Sequence, residues 1–169
     1  MSSMPERSAV LVSNTTPLIA LTAALGSLDI LKFMYARVVV PFEVAQEVRA
    51  GGQTSFGVDA FQAADWLDIQ DRPVTLLPFL KNSLDAGEAS VIQTALNLSL
   101  PLVCIDEVVG RRTARLCGLN LTGSLGIMLK ARQLGFPLDL PQAVHNMQSH
   151  GIWLSPTLIA SVLGNAQCW

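Results

Sequence analysis

The chain has 169 residues, 50% of them apolar and 14% charged, with a formal net charge of -2. That length suits one compact domain over residues 1–169, and the apolar share supplies a substantial core. The weak negative charge argues against a non-specific coater of duplex nucleic acid, which carries a strong basic excess, and no apolar run reaches the roughly 18 residues that span a bilayer.

Ala9 to Ser13 reads as a short buried strand followed at once by Asn14, Thr15 and Thr16, polar residues that cap a helix. Pro17 fits the first helical position, where its missing N–H costs nothing, and Leu18, Ile19, Leu21 and Leu25 continue an apolar helix to Gly26. A second short helix is expected over Ser27 to Phe33. Arg37 to Val40 is a β-branched strand ended by Pro41, and Phe42 to Arg49 has helical spacing closed by Gly51 and Gly52. From Gln53 to Asn82 the pattern weakens, with Asp65 to Ile69 as the strand candidate. Ser83 to Leu98 reads as a helix, and Leu102 to Ile105 as a buried strand that stops at Asp106 and Glu107. Another helix runs to about Cys117, and Asn120 to Thr122 is a brief strand. Ser124 to Leu134 is helical up to Gly135, and Pro141 to Ser149 and Ser155 to Leu163 are the closing helices.

Strands separated by helices imply right-handed crossovers and a central parallel sheet with helices on both faces, an α/β three-layer sandwich. In such a sheet, chemistry collects outside the carboxyl ends of the strands. Asn14 follows the first strand and Asp106 the third or fourth, so both project into one crevice if those strands lie near each other. Glu88, in the first turn of its helix, and Glu47, on the helix after Val38 to Val40, can reach the same edge. Clustered carboxylates repel one another, and their common compensator is a hard divalent cation with oxygen ligands, here Mg2+ or Mn2+. Such an ion activates water and stabilises the charge that builds on a phosphate, so no covalent nucleophile is required. A metal-loaded chain is also less negative than its sequence, which leaves nucleic acid open as a partner.

Cys104, Cys117 and Cys168 are odd in number and not closely spaced, so they suggest neither a disulfide framework nor a zinc knuckle but reduced, mostly buried thiols. His145 and His150, five apart, do not share a helical face. Trp66 and Trp153 are expected in the core and Trp169 at an interface. Met1 to Ser8 carries Glu6 and Arg7 instead of a signal-peptide pattern, giving the expectation of a cytoplasmic protein without membrane contact. Low charge and positive mean hydropathy fit some surface covered by a partner, most simply in a homodimer.

The run Val12-Ser13-Asn14-Thr15-Thr16-Pro17-Leu18-Ile19-Ala20-Leu21 resembles the opening motif of PIN-domain proteins, in the PIN-like branch of unknown function. Val39-Val40-Pro41 leading to Val44 and Glu47, Leu84-Asp85-Ala86-Gly87-Glu88-Ala89, Ile105-Asp106-Glu107 and Leu121-Thr122-Gly123-Ser124-Leu125-Gly126 follow in that family's order. Each motif alone is weak, but the five in order are specific, and the similarity runs from Val10 to about Leu163. The resemblance implies a central parallel sheet, metal-dependent endoribonuclease activity on RNA, and membership in toxin–antitoxin pairs with an antitoxin protein as partner. It implies an acidic site at Asn14, Glu47, Glu88 and Asp106, with Asp85 and Glu107 as neighbours and the Thr122-Gly123 turn on its border. Thr15, Thr122, Ser124 and the arginines Arg111, Arg112 and Arg115 are its expected contacts to substrate.

One position departs from the family pattern: the first of the acidic quartet is usually Asp and here is Asn14. An amide oxygen coordinates a metal but brings no formal charge. A unit charge lost about 4 Å from a cation forfeits up to roughly 4 kcal/mol at an effective dielectric near 20. Two functions therefore stay open: a Mg2+- or Mn2+-dependent endoribonuclease, and a PIN-like module that binds RNA or a protein partner without cleaving. Simpler roles stay open as well. Asp85 and Glu88 have capping-box spacing, Asp106-Glu107 can cap the next helix, and Glu47 and the arginines can be solvated.

Overall fold

Val38, Val39 and Val40 are β-branched and buried in succession, the pattern of a strand covered on both faces. In a computed structural model, which describes residues 9–51 and 55–167, they belong to β2 (Arg37–Val40). The other strands are β1 (Val10–Ser13), β3 (Asp68–Ile69), β4 (Leu102–Cys104) and β5 (Asn120–Thr122). All pairings are parallel, in the order β3-β2-β1-β4-β5. Flanking helices are α1 (Thr15–Leu25), α2 (Asp29–Met34), α3 (Phe42–Ala50), α4 (Ser55–Ala63), α5 (Pro78–Ser83), α6 (Ala86–Asn97), α7 (Val108–Leu116), α8 (Ser124–Gln133), α9 (Leu140–Ser149) and α10 (Pro156–Gln167). The result is the three-layer α/β sandwich that the alternation of elements predicts.

The chain moves from β1 outward through β2 to β3, then crosses to the other side of β1 for β4 and β5. This reversal of strand order opens a crevice at the carboxyl ends of β1 and β4. Ser13 pairs with Cys104, and the Asn14 N–H donates to the Cys104 carbonyl at 3.1 Å. Asn14 and Asp106 thus stand at adjacent strand ends.

Two helices carry the core. Pro17 to Ala24 of α1 are buried without a break, as expected of a helix that is apolar all round. In α6, Gly87 to Ala95 are likewise all buried, and the helix packs on β1 and β4. Gly26, at φ +82°, closes α1 by donating its N–H to the Thr22 carbonyl at 2.7 Å.

Several expectations need correction. α1 begins at Thr15, so Pro17 is its third residue and not its first; that N–H also lacks an intrahelical partner, so proline is tolerated there too. α2 starts at Asp29 rather than Ser27. The weakly patterned stretch contains α4, the two-residue β3 and α5, and extended backbone at Leu84 separates α5 from α6. The helix expected from Ser83 consequently starts at Ala86, with Asp85 as its N-cap. Trp153 is not in the core: it is 79% exposed. It lies in a non-helical stretch between α9 and α10 where Ile152 and Leu154 pack inward, and alternation turns the residue between them out. Trp66 is partly buried against the core, Cys104 is buried and Cys117 partly so, while Cys168 and Trp169 fall outside the described residues. Among the described residues, no helix is long and apolar enough to cross a membrane.

Candidate metal centre

Asp85 opens α6 as its N-cap, its Oδ1 accepting from the Glu88 backbone N–H at 2.8 Å. The cap satisfies a free donor of the first turn and sets Glu88 in that turn with its side chain buried. Glu107 precedes α7 in the same position but makes no side-chain capping bond. Its Oε1 instead accepts from Thr16 Oγ1 at 2.9 Å. One carboxylate oxygen from each of Asp85, Glu88 and Glu107 lies within 4.8 Å of the others.

Glycines make this approach possible. A Cβ on Gly110 would stand 2.8 Å from Glu88 Oε2 and 2.9 Å from Ile105 Cγ2. A Cβ on Gly87 would stand 2.8 Å from Glu47 Oε1, 3.2 Å from Asn14 Oδ1 and 3.5 Å from Asp85 Oδ1. Glu47 therefore reaches from α3 to the edge of the acidic group, and Thr15 Oγ1 steadies it with a 2.6 Å bond to Oε1. Asn14, 3% exposed, makes no side-chain capping bond to α1 and turns its amide oxygen toward the space shared by Glu47 and Asp85.

Burial, followed by the charges of Asp85 and Glu107, pushes the Glu88 carboxyl from its ordinary 4.5 up to about 7. A side-chain hydrogen bond with Asp85 adds to the rise, and the Asp85 backbone N–H opposes it. Some compensation comes from the fold, because α1, α6, α7 and α8 all begin at this edge and direct their positive ends toward it. A cation would relieve what repulsion is left. Opposite oxygens around a hard divalent ion are ~4–5 Å apart, the spread that the triad shows, and all its donors are carboxylate oxygens. The donor set fits an ion of the magnesium or manganese kind.

Asp106 stands outside this triad. Its Oδ1 accepts from the Ser124 N–H at 2.8 Å and its Oδ2 from Ser124 Oγ at 2.9 Å, tying the end of β4 to the start of α8. Burial pushes its carboxyl up, while the two bonds from Ser124 and the charge of Arg111 work the other way. Arg111 donates from Nη1 to the Ile105 carbonyl at 2.7 Å and the Thr122 carbonyl at 3.2 Å, so it staples β4 to β5 beneath Asp106. Arg112 and Arg115 are exposed on α7.

The structure thus gathers Asn14, Glu47, Asp85, Glu88 and Glu107 around Gly87 and Gly110, and places Asp106 against Ser124. Thr16 as the partner of Glu107 was not singled out by sequence reasoning. The available signal for the close approach is a glycine, Gly110, in the first turn of the helix that follows Glu107.

No curated protein matches the chain. The family model for the PIN domain matches residues 10–167, from the first residue of β1 to the end of α10, and spans every site residue named above. With an all-parallel sheet, a reversal of strand order at β1 and β4, and carboxylates gathered at that point, this match shows that the chain belongs to the PIN-domain family, a nuclease-like family whose members typically depend on divalent metal ions.

Proposed function

We propose that the chain is a cytoplasmic endoribonuclease that hydrolyses RNA phosphodiester bonds with Mg2+ or Mn2+, acting as a homodimer and as the toxin of a toxin–antitoxin pair. The observation that carries the nuclease reading is the meeting of Asp85, Glu88 and Glu107 at the switch-point crevice. The toxin role, with its antitoxin partner, rests on family resemblance alone. Asp85, Glu88 and Glu107 would hold the ion, with Asn14 and Glu47 beside them. When bound, a divalent cation supplies Lewis-acid stabilisation of the phosphoryl oxygens and makes water a better nucleophile at neutral pH. Thr15 and Thr16 orient Glu47 and Glu107, Asp106 fixes the first residue of α8 at the crevice wall, and Arg112 and Arg115 are free to meet RNA phosphates.

The test is cleavage of single-stranded RNA with Mn2+, with a chelator, and by Glu88→Gln. Cleavage that depends on the metal and is lost in the variant is the expected result. Asn14 favours a second reading, since a site with one charge fewer holds its ion less tightly. RNA binding without cleavage, with cleavage gained in Asn14→Asp, would assign a binding module instead.

A further inference from the structure

Trp153, at 79% exposure, presents a large planar ring to solvent, although burial of such a ring is a strong stabilising term elsewhere. It borders a groove of about 570 Å3 walled by Ile152, Leu154 and Ile159. Ile152 also lines a second groove, about 510 Å3, that passes over Ile19 and Gly51 to Thr15, Thr16 and Glu47. Those last three residues border the acidic triad, and Ile152 is common to both grooves, so Trp153 stands one residue along the chain from the groove that reaches the carboxylates.

The charge of these two grooves indicates what they accept. Among the described residues, Glu47 is the only ionisable one in the two linings, which otherwise present a mainly apolar bed to neutral, planar groups. Single-stranded RNA supplies such groups next to a phosphate, whereas a duplex hides them. We propose that Trp153 is a stacking platform for a base of single-stranded RNA whose phosphate lies at the acidic cluster, with Ile152 as the floor between them. The proposal rests on RNA being the ligand of that cluster. Affinity then comes from ring stacking, which tolerates any base because each has a π face.

The experiment is fluorescence anisotropy of a labelled 12-nucleotide oligouridine with the full chain, in chelator and in Mn2+, for the wild type, Trp153→Phe and Trp153→Ala. Stacking of a base is lost at a cost of roughly 5- to 150-fold in affinity, so Trp153→Ala should bind that much more weakly. Trp153→Phe should retain most of the affinity, and both variants should keep the wild-type melting temperature and its rise with Mn2+. Equal binding by Trp153→Ala overturns the proposal, as does a wild type that binds no oligomer in either condition. A change in sedimentation mass on Trp153→Ala also overturns it, by assigning the face to a second copy of the chain. Tryptophan-dependent binding without metal-dependent cleavage would leave the stacking platform standing and remove the nuclease reading alone.

Discussion

Thr16 Oγ1 donates to Glu107 Oε1 at 2.9 Å, a bond between residues 91 apart that ties the first turn of α1 to the N-cap of α7. The bond is exposed, so it adds little to fold stability, but it fixes a carboxylate of the triad. Loss of such an outer partner weakens metal binding by about 10-fold or more. Thr16→Val is expected to show that loss by calorimetric titration with Mn2+ while melting close to the wild type. Unchanged affinity would refute the orienting role.

Stability should depend on pH in a definite direction. Folded, Glu88 keeps its proton up to about 7, against 4.5 for an ordinary carboxyl. Between those values the folded state binds more protons than the unfolded one, so stability falls as pH rises through the window. Asp106, also pushed up by burial, acts with the same sign. Melting curves without metal should therefore drop between about pH 5 and 7.5. Glu88→Gln should flatten the slope, and Mn2+ should raise the melting temperature most at the upper end. A metal-free profile identical in the wild type and Glu88→Gln would contradict the assignment.

Two glycine substitutions should part company. Alanine in a helix interior normally gains up to about 1 kcal/mol over glycine. At Gly110 the added Cβ stands 2.9 Å from the fully buried Ile105, an overpacking that costs about 1–3 kcal/mol, so Gly110→Ala should melt lower. At Gly87 the closest atom is the end of the exposed Glu47 side chain, which can move. Gly87→Ala should stay within about 1 kcal/mol of the wild type in stability and lose Mn2+ affinity. A stabilised Gly110→Ala would mean that Ile105 gives way freely.

Asn14→Asp places another carboxylate beside Glu47 and Asp85 at a buried position. Without metal the variant should melt lower above neutral pH, because one more charge is crowded and desolvated. With Mn2+ the order should reverse, since a unit charge ~4 Å from a cation is worth up to about 4 kcal/mol at an effective dielectric near 20. Calorimetry should show tighter binding; weaker binding would place Asn14 outside reach of the ion.

Much of the fold is legible in the sequence because its elements are bounded by strong local signals. The apolar run of α1 sits between Thr15 and Gly26, and the valines of β2 end at Pro41. Residues after strands are candidates for the crevice because parallel sheets direct all strand ends one way. What local pattern does not specify is which carboxylates meet. The tight group of Asp85, Glu88 and Glu107 depends on rotamers and on the space left at Gly87 and Gly110. The capture of Asp106 by Ser124 depends on β5 lying beside β4. The break at Leu84 does have a local mark, the capping-box spacing of Asp85 and Glu88, but continuous helical spacing from Ser83 onward outweighs it until the cap itself is seen. Trp153 was misplaced because its hydrophobicity points inward while its place between Ile152 and Leu154 turns it outward.

The enclosure of α6 decides how the crevice can respond to what enters it. A rod gripped along nine successive residues, Gly87 to Ala95, cannot tilt or slide without prising apart the layers around it. The carboxylate of Glu88, buried and packed against Gly110, is thus presented as one fixed jaw of a preset socket. The give of the socket comes instead from Glu47 and Glu107, whose exposed stems are each leashed by a threonine hydroxyl.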